Sequence, residues 1–516
     1  MSFAYRARRV AAVFLKNSRR TIREVANEIK ISKSSVHRHV TSQKKRVATV
    51  GHRFFETEEG YQFLRRLLMA VVLIFGIQSG VGADTISSFF TAILLTEYIA
   101  SSASCIRDFE TKMRLLISHF GDEMMEKVLT LCQNKELHLG GDESFFGKDI
   151  FLVLMELQSG FIFTEELVKD RKHKTWSSVT EPCLSKLNNI LSVAMDKGRS
   201  LLALGKNIKS AITTMDLYHL LQDITRAFGA QFSAKQRSLD KQQKTTEQNK
   251  LLSVEKKSLA IEAISTQRQT FDEGENTYKK SLFSLSTMCH PFMGIAEPQS
   301  SSTLHRKMMG VISTLRKVMS ACGISDKRNL IDRCERRLGL LTILNDYWHQ
   351  WVLAAVQAKT FELKEQRWAT KYLLPWCYWQ WQYSKAKRKP EQREYYQKQV
   401  EGAYQHLLSS PLTAQYLTED WKSWGTSMAM KYQRTTSAVE GRNGRLSYHY
   451  FSSKGVRASH VKPLTVIHNF WIKRSDNSTA CERLCHFKPP DLFEWMLERM
   501  DAIPVARPRQ PSIATA

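Results

Sequence analysis

The sequence is 516 residues long and carries 76 Lys and Arg residues against 50 Asp and Glu, a net charge of +26 at neutral pH. Its 42% hydrophobic and 10% aromatic residues can bury substantial cores, so the composition excludes a globally disordered chain and predicts a multidomain globular protein. The positive charge is spread along the whole length, which favours a long nucleic-acid path over membrane adhesion.

Two short helices with a tight connection are predicted near the N-terminus. Thr21 and Glu24 form a capping box for a helix over 22–29, and Ser32 caps a second helix over 33–41. The pair resembles a helix-turn-helix, whose second helix enters the major groove of double-stranded DNA. The residues predicted to contact DNA are Arg23, Ser32, Lys33, Ser34, Ser35, His37, Arg38, Lys44, Lys45 and Arg46, and His39 is also expected to face outward. The alternative is a helical hairpin with a solvated basic face.

A second helical module is predicted over 51–132, with a role in DNA binding or dimerisation that the sequence leaves open. Its apolar run over 67–77 is shorter than the roughly 20 residues that a membrane helix needs, so we interpret it as a buried helix. No secretory or membrane-spanning segment is expected. The predicted location is therefore the cytoplasm.

From residue 136 the pattern changes to short apolar runs separated by polar residues and glycine, which is typical of consecutive buried strands. A helix, another strand, a second helix and a last short strand follow. The predicted strands are 137–142, 150–155, 160–164, 190–195 and 211–215, and the predicted helices are 176–189 and 198–209.

Three acidic residues each follow an apolar or aromatic stretch and are far apart in sequence. They are Asp142, Asp196 and Glu440. If the fold brings them together, their carboxylates form a cage for divalent cations, and bound metal makes the cluster attractive to a polyanion such as DNA. Glu143 competes with Asp142 as a ligand, and Asp216 and Asp223 compete with Asp196. Two glycines, Gly441 and Gly444, follow Glu440, so a short or frayed helix is expected there.

The order of these elements and acids resembles the DDE transposases of bacterial insertion sequences, which are relatives of retroviral integrases. In that family the first acid lies on the first strand, the second follows the fourth strand, and the third lies on a later helix. The resemblance implies an α/β ribonuclease H-like catalytic core with a mixed five-stranded sheet. It also implies that a large all-α insertion interrupts this core and that all-α helix-turn-helix DNA-binding domains precede it.

The resemblance also implies a chemistry. Asp142, Asp196 and Glu440 would be catalytic residues that hold two Mg²⁺ (or Mn²⁺) ions about 3.5 to 4 Å apart for in-line displacement at a phosphodiester. The implied partners are the terminal inverted repeats of a transposon, the target DNA, and further copies of the chain in a homodimer or higher synaptic assembly. Two alternatives stay open: a non-catalytic DNA-binding regulator derived from a transposase, and a metal-dependent nuclease without strand transfer.

Polar residues beside the third acid are candidates for DNA contacts. Arg442, Asn443 and Arg445 could hold the scissile phosphate or the flanking strand, because guanidinium pairs bidentately with phosphate. A solvated polar helix end is the alternative.

The stretch over 224–430 is predicted to be a helical insertion. Within it, 235–269 is charged with sparse apolar positions, like one arm of an exposed helical hairpin or coiled coil. A later cluster of aromatic residues, including Trp368, Trp376, Trp379 and Trp381, could stack on unpaired bases or form a helix core. The predicted division is 1–50, 51–132, 133–223, 224–430 and 431–500, with a disordered basic tail over 501–516.

Nine cysteines are scattered without paired Cys-x-x-Cys spacings, which predicts a reducing compartment and neither a disulfide framework nor a structural zinc. Cys481 and Cys485, which precede His486, are interpreted as two small apolar residues on one helix face.

Overall fold

The structure is a computed structural model. It describes residues 9–10, 12–14, 17, 19–46, 54–55, 57–96, 98–196, 198–208, 211–386, 390–453, 455–500 and 503, without the side chains of 42–46. The predicted DNA contacts of Lys44, Lys45 and Arg46 therefore lie outside the described side chains. The predicted tail over 501–516 lies outside the described residues except for Ile503.

The N-terminal helices α1 (Ile22–Ile29) and α2 (Lys33–Arg46) pack against each other. Thr21 begins α1 with the predicted capping box, and Lys30 ends it in the left-handed conformation, with φ of 58°. This conformation turns the chain sharply into α2. Val25, Ile29 and Val36 form a small core of their own.

The next helices are α3 (Glu58–Val71), which continues as a π-helix (Val72–Gln78), α4 (Ala83–Ala92) and α5 (Ala103–Cys132). Among the described residues, Glu58–Gln78 is the one helix long and apolar enough to cross a membrane, and half of its most apolar window is buried inside the protein. A core helix of a soluble protein passes the same test. Leu68 and Leu73 pack in the same core as Phe120 of α5, which agrees with the predicted buried helix.

A five-stranded mixed sheet forms the centre of the fold. Its strands are β1 (Leu137–Phe146), β2 (Asp149–Glu156), β3 (Ile162–Val168), β4 (Ile190–Met195) and β5 (Ile212–Met215), in the spatial order β3-β2-β1-β4-β5. The first three strands are antiparallel neighbours, whereas β4 and β5 run parallel to β1. The helices α6 (His173–Leu184) and α7 (Arg199–Asn207) make the crossovers that parallel strands require.

The side chains of β1 alternate between the two faces of the sheet. Glu143 accepts a hydrogen bond from Nε1 of Trp176 in α6, at 3.1 Å, so it lies on the α6 face. Because successive strand residues point to opposite faces, Asp142 lies on the other face. The glycine pair before Asp142 permits close packing, since a Cβ on Gly141 would lie 2.7 Å from Sδ of Met195.

In the described part of the insertion the regular elements are helices, apart from a two-strand ribbon, β6 (Phe292–Met293) and β7 (Glu297–Pro298). Its helices are α8 (Leu217–Gln248), α9 (Val254–Met288), α10 (Ser301–Ala321), α11 (Leu330–Glu335), α12 (Leu338–Thr342), α13 (Leu344–Lys359), α14 (Leu363–Trp368), a π-helix (Ala369–Leu373), α15 (Leu374–Lys385), α16 (Pro390–Leu408), α17 (Thr413–Tyr416) and α18 (Glu419–Met430). The long helices α8 and α9 form a hairpin, so the predicted arm over 235–269 spans both of its helices and the turn between them.

The aromatic cluster of the insertion lies in its core. Trp368 and Trp379 are fully buried, and Trp376 and Trp381 are half-buried. The indole nitrogen of Trp368 donates to Oγ1 of Thr413 at 3.1 Å, and that of Trp379 donates to the backbone oxygen of Ile295 at 2.8 Å. The core alternative is therefore confirmed for these two residues, because their rings are not free to stack on DNA bases.

The chain returns to the sheet through α19 (Ser437–Ser452) and α20 (Ala458–Phe470), followed by α21 (Ala480–Cys485) and α22 (Leu492–Arg499). The insertion leaves and re-enters the core at one place, because the backbone N–H of Leu217 donates to the backbone oxygen of Arg434 at 3.2 Å. Helix α19 packs over β1 and β2, and α20 packs over β3.

Three cysteines from distant parts of the chain meet beside the C-terminal helices. Sγ of Cys132, at the end of α5, lies 3.5 Å from Sγ of Cys485 in α21, and Cys481 also contacts Cys485. The hydrogen bonds from Cys132 and Cys481 lower the pKa of the Cys485 thiol to about 4. The two helix cysteines thus form a three-thiol cluster with Cys132, which the sequence did not indicate.

Candidate metal centre

The register of two neighbouring strands brings Asp142 and Asp196 close together. Gly141 of β1 pairs with Met195 of β4, and the strands are parallel. The next residue of each segment is an aspartate, so Asp142, in the middle of β1, lies beside Asp196, which directly follows β4. Asp142 is buried, whereas Asp196 is half-buried at the end of its strand.

Glu440, in the first turn of α19, lies near the same two aspartates. The backbone N–H of Thr436, just before this helix, donates to Oδ2 of Asp216 at 3.1 Å, and its hydroxyl donates to the same oxygen. Asp216 follows β5, so this contact fastens the start of α19 to the sheet. The expected frayed helix is wrong: α19 is 16 residues long, and Gly441 and Gly444 lie on its exposed side.

The imidazole of His219 lies at the centre of the three acids. Its Nε2 is 3.8 Å from Oδ1 of Asp142 and 3.4 Å from Oε1 of Glu440, and its Nδ1 is 3.8 Å from Oδ1 of Asp196. His219 stands in the first turn of α8, which begins directly after β5 and Asp216. The structure therefore brings all three predicted acids around one ring that was assigned no role from the sequence.

Burial favours the protonated form of the Asp142 carboxyl. It raises the pKa of the Asp142 carboxyl to about 7; nearby His219 opposes this rise, and the negative charge of Glu440 adds to it. Oδ1 of Asp142 accepts the backbone N–H of Glu143, and Oδ2 accepts Nδ2 of Asn443, both at 2.8 Å. These two bonds hold the carboxylate in one orientation.

The arrangement fits a divalent cation. One ligand atom from each of Asp142, His219 and Glu440 lies within 4.8 Å of the other two. Nε2 of His219 is buried and makes no hydrogen bond within the described part of the chain, although it faces carboxylate oxygens. A buried nitrogen without a partner beside three carboxylates is a donor set for a metal ion, because carboxylate oxygens suit Mg²⁺ and Mn²⁺ and imidazole suits softer ions.

Glu143 and Asp216 have structural explanations, although Oδ2 of Asp216 also lies 3.8 Å from Nε2 of His219. Glu143 lies on the opposite face of the sheet, where it binds Trp176 and, at 3.0 Å, Nη1 of Arg171. Asp216 is fully buried, caps α8 by accepting the N–H of Tyr218 at 2.7 Å, and holds the start of α19. Burial raises the pKa of the Asp216 carboxyl. Asp223 lies one turn beyond His219 along α8, at the edge of the cluster.

The predicted DNA contacts of Arg442 and Asn443 do not fit the structure. The Arg442 guanidinium is buried and pairs with Glu165, with 2.7 Å from Nε to Oε1 and 2.5 Å from Nη2 to Oε2. Asn443 is buried against Asp142. Both residues follow Glu440 on a helix, and the helical turn directs them to the sheet rather than to solvent. Arg445 is exposed.

The predicted DNA-binding residues of the first two helices lie on the surface. The exposed ones are Arg23, Ser32, Lys33, Ser34, His37 and Arg38, and Ser35 is half-buried. The outward placement expected for His39 is wrong, because its side chain is buried at 6% exposure. Val36, three residues before His39 on α2, is buried as well, so His39 lies on the inner side of this helix.

One residue of the site, His219, was missed from the sequence, and Asn443 was predicted in another role, as a DNA contact. His219 follows Asp216 by three positions in Asp-Leu-Tyr-His, so a helix beginning at that aspartate turns His219 back over the strand ends. Asn443 follows Glu440 by three positions, which places both on the same helix face. The spacing was visible in each case, but the direction of each face depends on tertiary packing.

Comparison with known proteins gives one family match. Residues 369–512 match the model of a family described as a family of unknown function (DUF6399). The matched region contains Glu440, Arg442 and Asn443, and does not contain Asp142, Asp196 or His219. No match was found among curated proteins. This family match assigns no activity to the chain.

Proposed function

We propose that this protein is a metal-dependent DNA transposase of the DDE type, which cleaves DNA strands at transposon ends and joins them to target DNA. The observation that carries the proposal is the position of Asp142, Asp196 and Glu440, which come from three separate parts of the chain. Each places a carboxylate oxygen 3.4 to 3.8 Å from the His219 ring. In a chain of net charge +26, such a cluster suits metal-assisted chemistry on a polyanion.

The topology supports a ribonuclease H-like core. Three antiparallel strands precede a helix and two further strands that run parallel to the first. Asp142 lies on the first strand, Asp196 directly follows the fourth, and Glu440 lies on a helix after the insertion. This is the placement of acids that the resemblance to DDE transposases implies.

Each residue of the site has a separate role in the proposed reaction. Asp142, Asp196 and Glu440 would hold Mg²⁺ or Mn²⁺, and Asn443 keeps the Asp142 carboxylate turned toward the cluster. His219 adds a nitrogen donor between the carboxylates. Bound divalent ions would supply activation of the attacking water or 3′-hydroxyl and stabilisation of the leaving oxygen. The buried Arg442–Glu165 pair holds α19 against β3.

The surface supports DNA as the substrate. The second N-terminal helix presents Lys33, Ser34, His37 and Arg38 to solvent, as a recognition helix in the major groove would. Arg445 is exposed one turn beyond Glu440, where it can meet the strand being cut. Because two transposon ends must be cut and joined together, we propose a dimer or larger assembly on DNA.

The proposal is tested by Mg²⁺- or Mn²⁺-dependent nicking of DNA that carries the ends of the element encoding the chain. D142N, D196N and E440Q are expected to abolish nicking and to leave DNA binding intact, because each removes an anionic metal ligand. The matched control is E143Q, which changes the adjacent acid on the opposite face of the sheet and is expected to nick normally. Equal activity of D142N and the wild type would overturn the proposal.

The products separate transposition from simple cutting. Joining of a free 3′-hydroxyl end to a target plasmid is expected, and cleavage without joined products would indicate a nuclease. DNA binding without any metal-dependent cleavage would indicate a regulator.

A further inference from the structure

A narrow crevice opens beside His219 on the side of the insertion. The crevice is lined by Met215 of β5, by His219 and Asp223 near the start of α8, and by Arg333 and Arg337 from a later part of the insertion. Two arginines from a segment more than 100 residues downstream of His219 thus stand beside the metal-binding cluster. The insertion is therefore part of the wall of the site.

Packing fixes the place of these two arginines. Leu330 and Cys334 of α11 and Leu338 of α12 are buried in one core with Leu220 of α8. Helix α12 also packs against β5, the edge strand next to the acids. Arg333 and Arg337 each directly precede one of these buried residues, so their stems start at the surface of this core. The backbone positions of Arg333 and Arg337 are therefore fixed beside the crevice that His219 also lines.

Neither guanidinium is engaged by a neighbour. Arg333 is exposed and Arg337 half-exposed, and within the described chain no ion pair or side-chain hydrogen bond holds either group. Nearby Arg316 differs, because its Nη2 pairs with Asp332 at 2.8 Å and Glu335 at 2.6 Å. The acids that could neutralise Arg333 on its own helix are therefore paired with another cation.

We propose that Arg333 and Arg337 form a phosphate clamp that grips the DNA strand entering the metal centre. Guanidinium binds phosphate oxygens bidentately, and two unpaired cations next to a carboxylate cluster compensate the repulsion between that cluster and the DNA backbone. The ligand class is a phosphodiester backbone, read without base contacts. The clamp deepens the proposed function and rests on it for the identity of the substrate.

The clamp is tested first by binding alone. The full chain is titrated with a fluorescein-labelled 30-base-pair duplex of arbitrary sequence in Ca²⁺, at salt concentrations from 50 to 200 mM. Each lost phosphate contact lowers the slope of log affinity against log salt by about 0.9. For the double variant R333Q/R337Q we expect a slope that is smaller by about 1.8 than that of the wild type. The ratio of wild-type to variant affinity for the duplex should therefore fall about tenfold between 50 and 200 mM salt.

The matched control is R336Q. Arg336 lies between the two arginines in sequence, but its Nε donates to the backbone oxygen of Asp332 at 3.3 Å, and it does not line the crevice. Its replacement is expected to leave the slope within about 0.3 of wild type. The charge-preserving variant R333K/R337K is expected to keep the slope and to cut DNA more slowly, because lysine loses the bidentate geometry.

Cleavage assays separate the clamp from the proposed function. If the wild type cuts DNA and R333Q/R337Q matches it in both slope and rate, the clamp is overturned and the transposase proposal stands. If R333Q/R337Q loses slope while the wild type shows no metal-dependent cleavage, the clamp stands as a DNA contact and the transposase proposal fails. A wild type that does not bind the duplex overturns both.

Discussion

Asn443 donates a hydrogen bond of 2.8 Å from Nδ2 to Oδ2 of Asp142, although the two residues are 301 positions apart. Asn443 lies on the helix that carries Glu440, so one side chain couples the orientation of the first acid to the position of the third.

N443L removes this hydrogen bond and keeps a similar side-chain volume. We expect Mn²⁺ affinity, measured by calorimetric titration, to fall about 10- to 100-fold, as found when partners of metal ligands are lost. Y448F, on the exposed side of the same helix, is the control and should bind Mn²⁺ as the wild type does. Unchanged affinity in N443L would mean that Asp142 is held by other contacts.

D142N should change stability in a pH-dependent way. Burial raises the pKa of Asp142 to about 7, above its ordinary value of 3.8, so the folded state binds its proton more tightly than the unfolded state. Wild-type stability from this group is therefore present below pH 4 and lost as the pH rises toward 7. In urea unfolding without metal, the free energy of unfolding of D142N, relative to that of the wild type, should rise by on the order of 2–4 kcal/mol as the pH increases from 4 to 7. A constant difference across this range would contradict the assigned burial effect.

H219A should alter the preference between metals. The imidazole nitrogen contributes more to the affinity for Mn²⁺ than for Mg²⁺, because Mn²⁺ accepts softer ligands. Removing it is expected to weaken Mn²⁺ binding several-fold more than Mg²⁺ binding in parallel titrations. Q222A, one turn along the same helix, serves as the control. Equal losses for both ions would indicate that His219 positions the acids without binding the metal.

R442L should destabilise the fold. Arg442 and Glu165 form a buried bidentate pair, and Thr465 donates to the same carboxylate at 2.5 Å. Loss of one partner leaves an uncompensated buried charge, which costs about 3–5 kcal/mol in urea unfolding. The double variant R442L/E165L should recover much of this loss. R445Q, at an exposed position of the same helix, should unfold as the wild type does.

Cys485 should react with iodoacetamide as a thiolate. Hydrogen bonds from Cys132 and Cys481 lower its pKa to about 4, and its side chain is half-exposed. Its alkylation rate, followed by mass spectrometry, should therefore change little between pH 6 and pH 8. In C132S/C481S the rate should rise steeply with pH, since thiols without these donors titrate near pH 8.5. The half-exposed Cys105 provides a reference rate in the same samples.

Local patterns in the sequence predicted the elements that carry the acids. Strand β4 has the predicted bounds, and β5 begins one residue later than expected. Strand β1 is longer than predicted, because residues 143–146 pair with β2 although their sequence is not a continuous apolar run. The α1 capping box was also predictable, since it depends on two side chains three positions apart.

The contacts that complete the site depend on packing between distant segments. Arg442 is a residue type that often binds phosphate, and the sequence therefore indicated a DNA contact. In the structure Glu165 lies beneath α19, and Arg442 points inward to pair with it. His219 could not be assigned from the sequence, because a histidine in the first turn of a helix faces a metal site only if the preceding strand ends beside the acids. Glu143 and Asp142 are adjacent in β1, and their side chains therefore lie on opposite faces of the sheet. Which of the two faces the other acids depends on the packing of the helices.

The hydrogen bond between Leu217 and Arg434 joins the two ends of the insertion, and Asp216 is bonded to Thr436 beside it. A segment with adjoining ends can lengthen, shorten or be replaced during evolution without displacing either flank. The number of residues between the second and third acids is therefore a poor criterion for finding distant relatives of this chain. The Asp216–Thr436 hydrogen bonds mark the place where this segment leaves and re-enters the core.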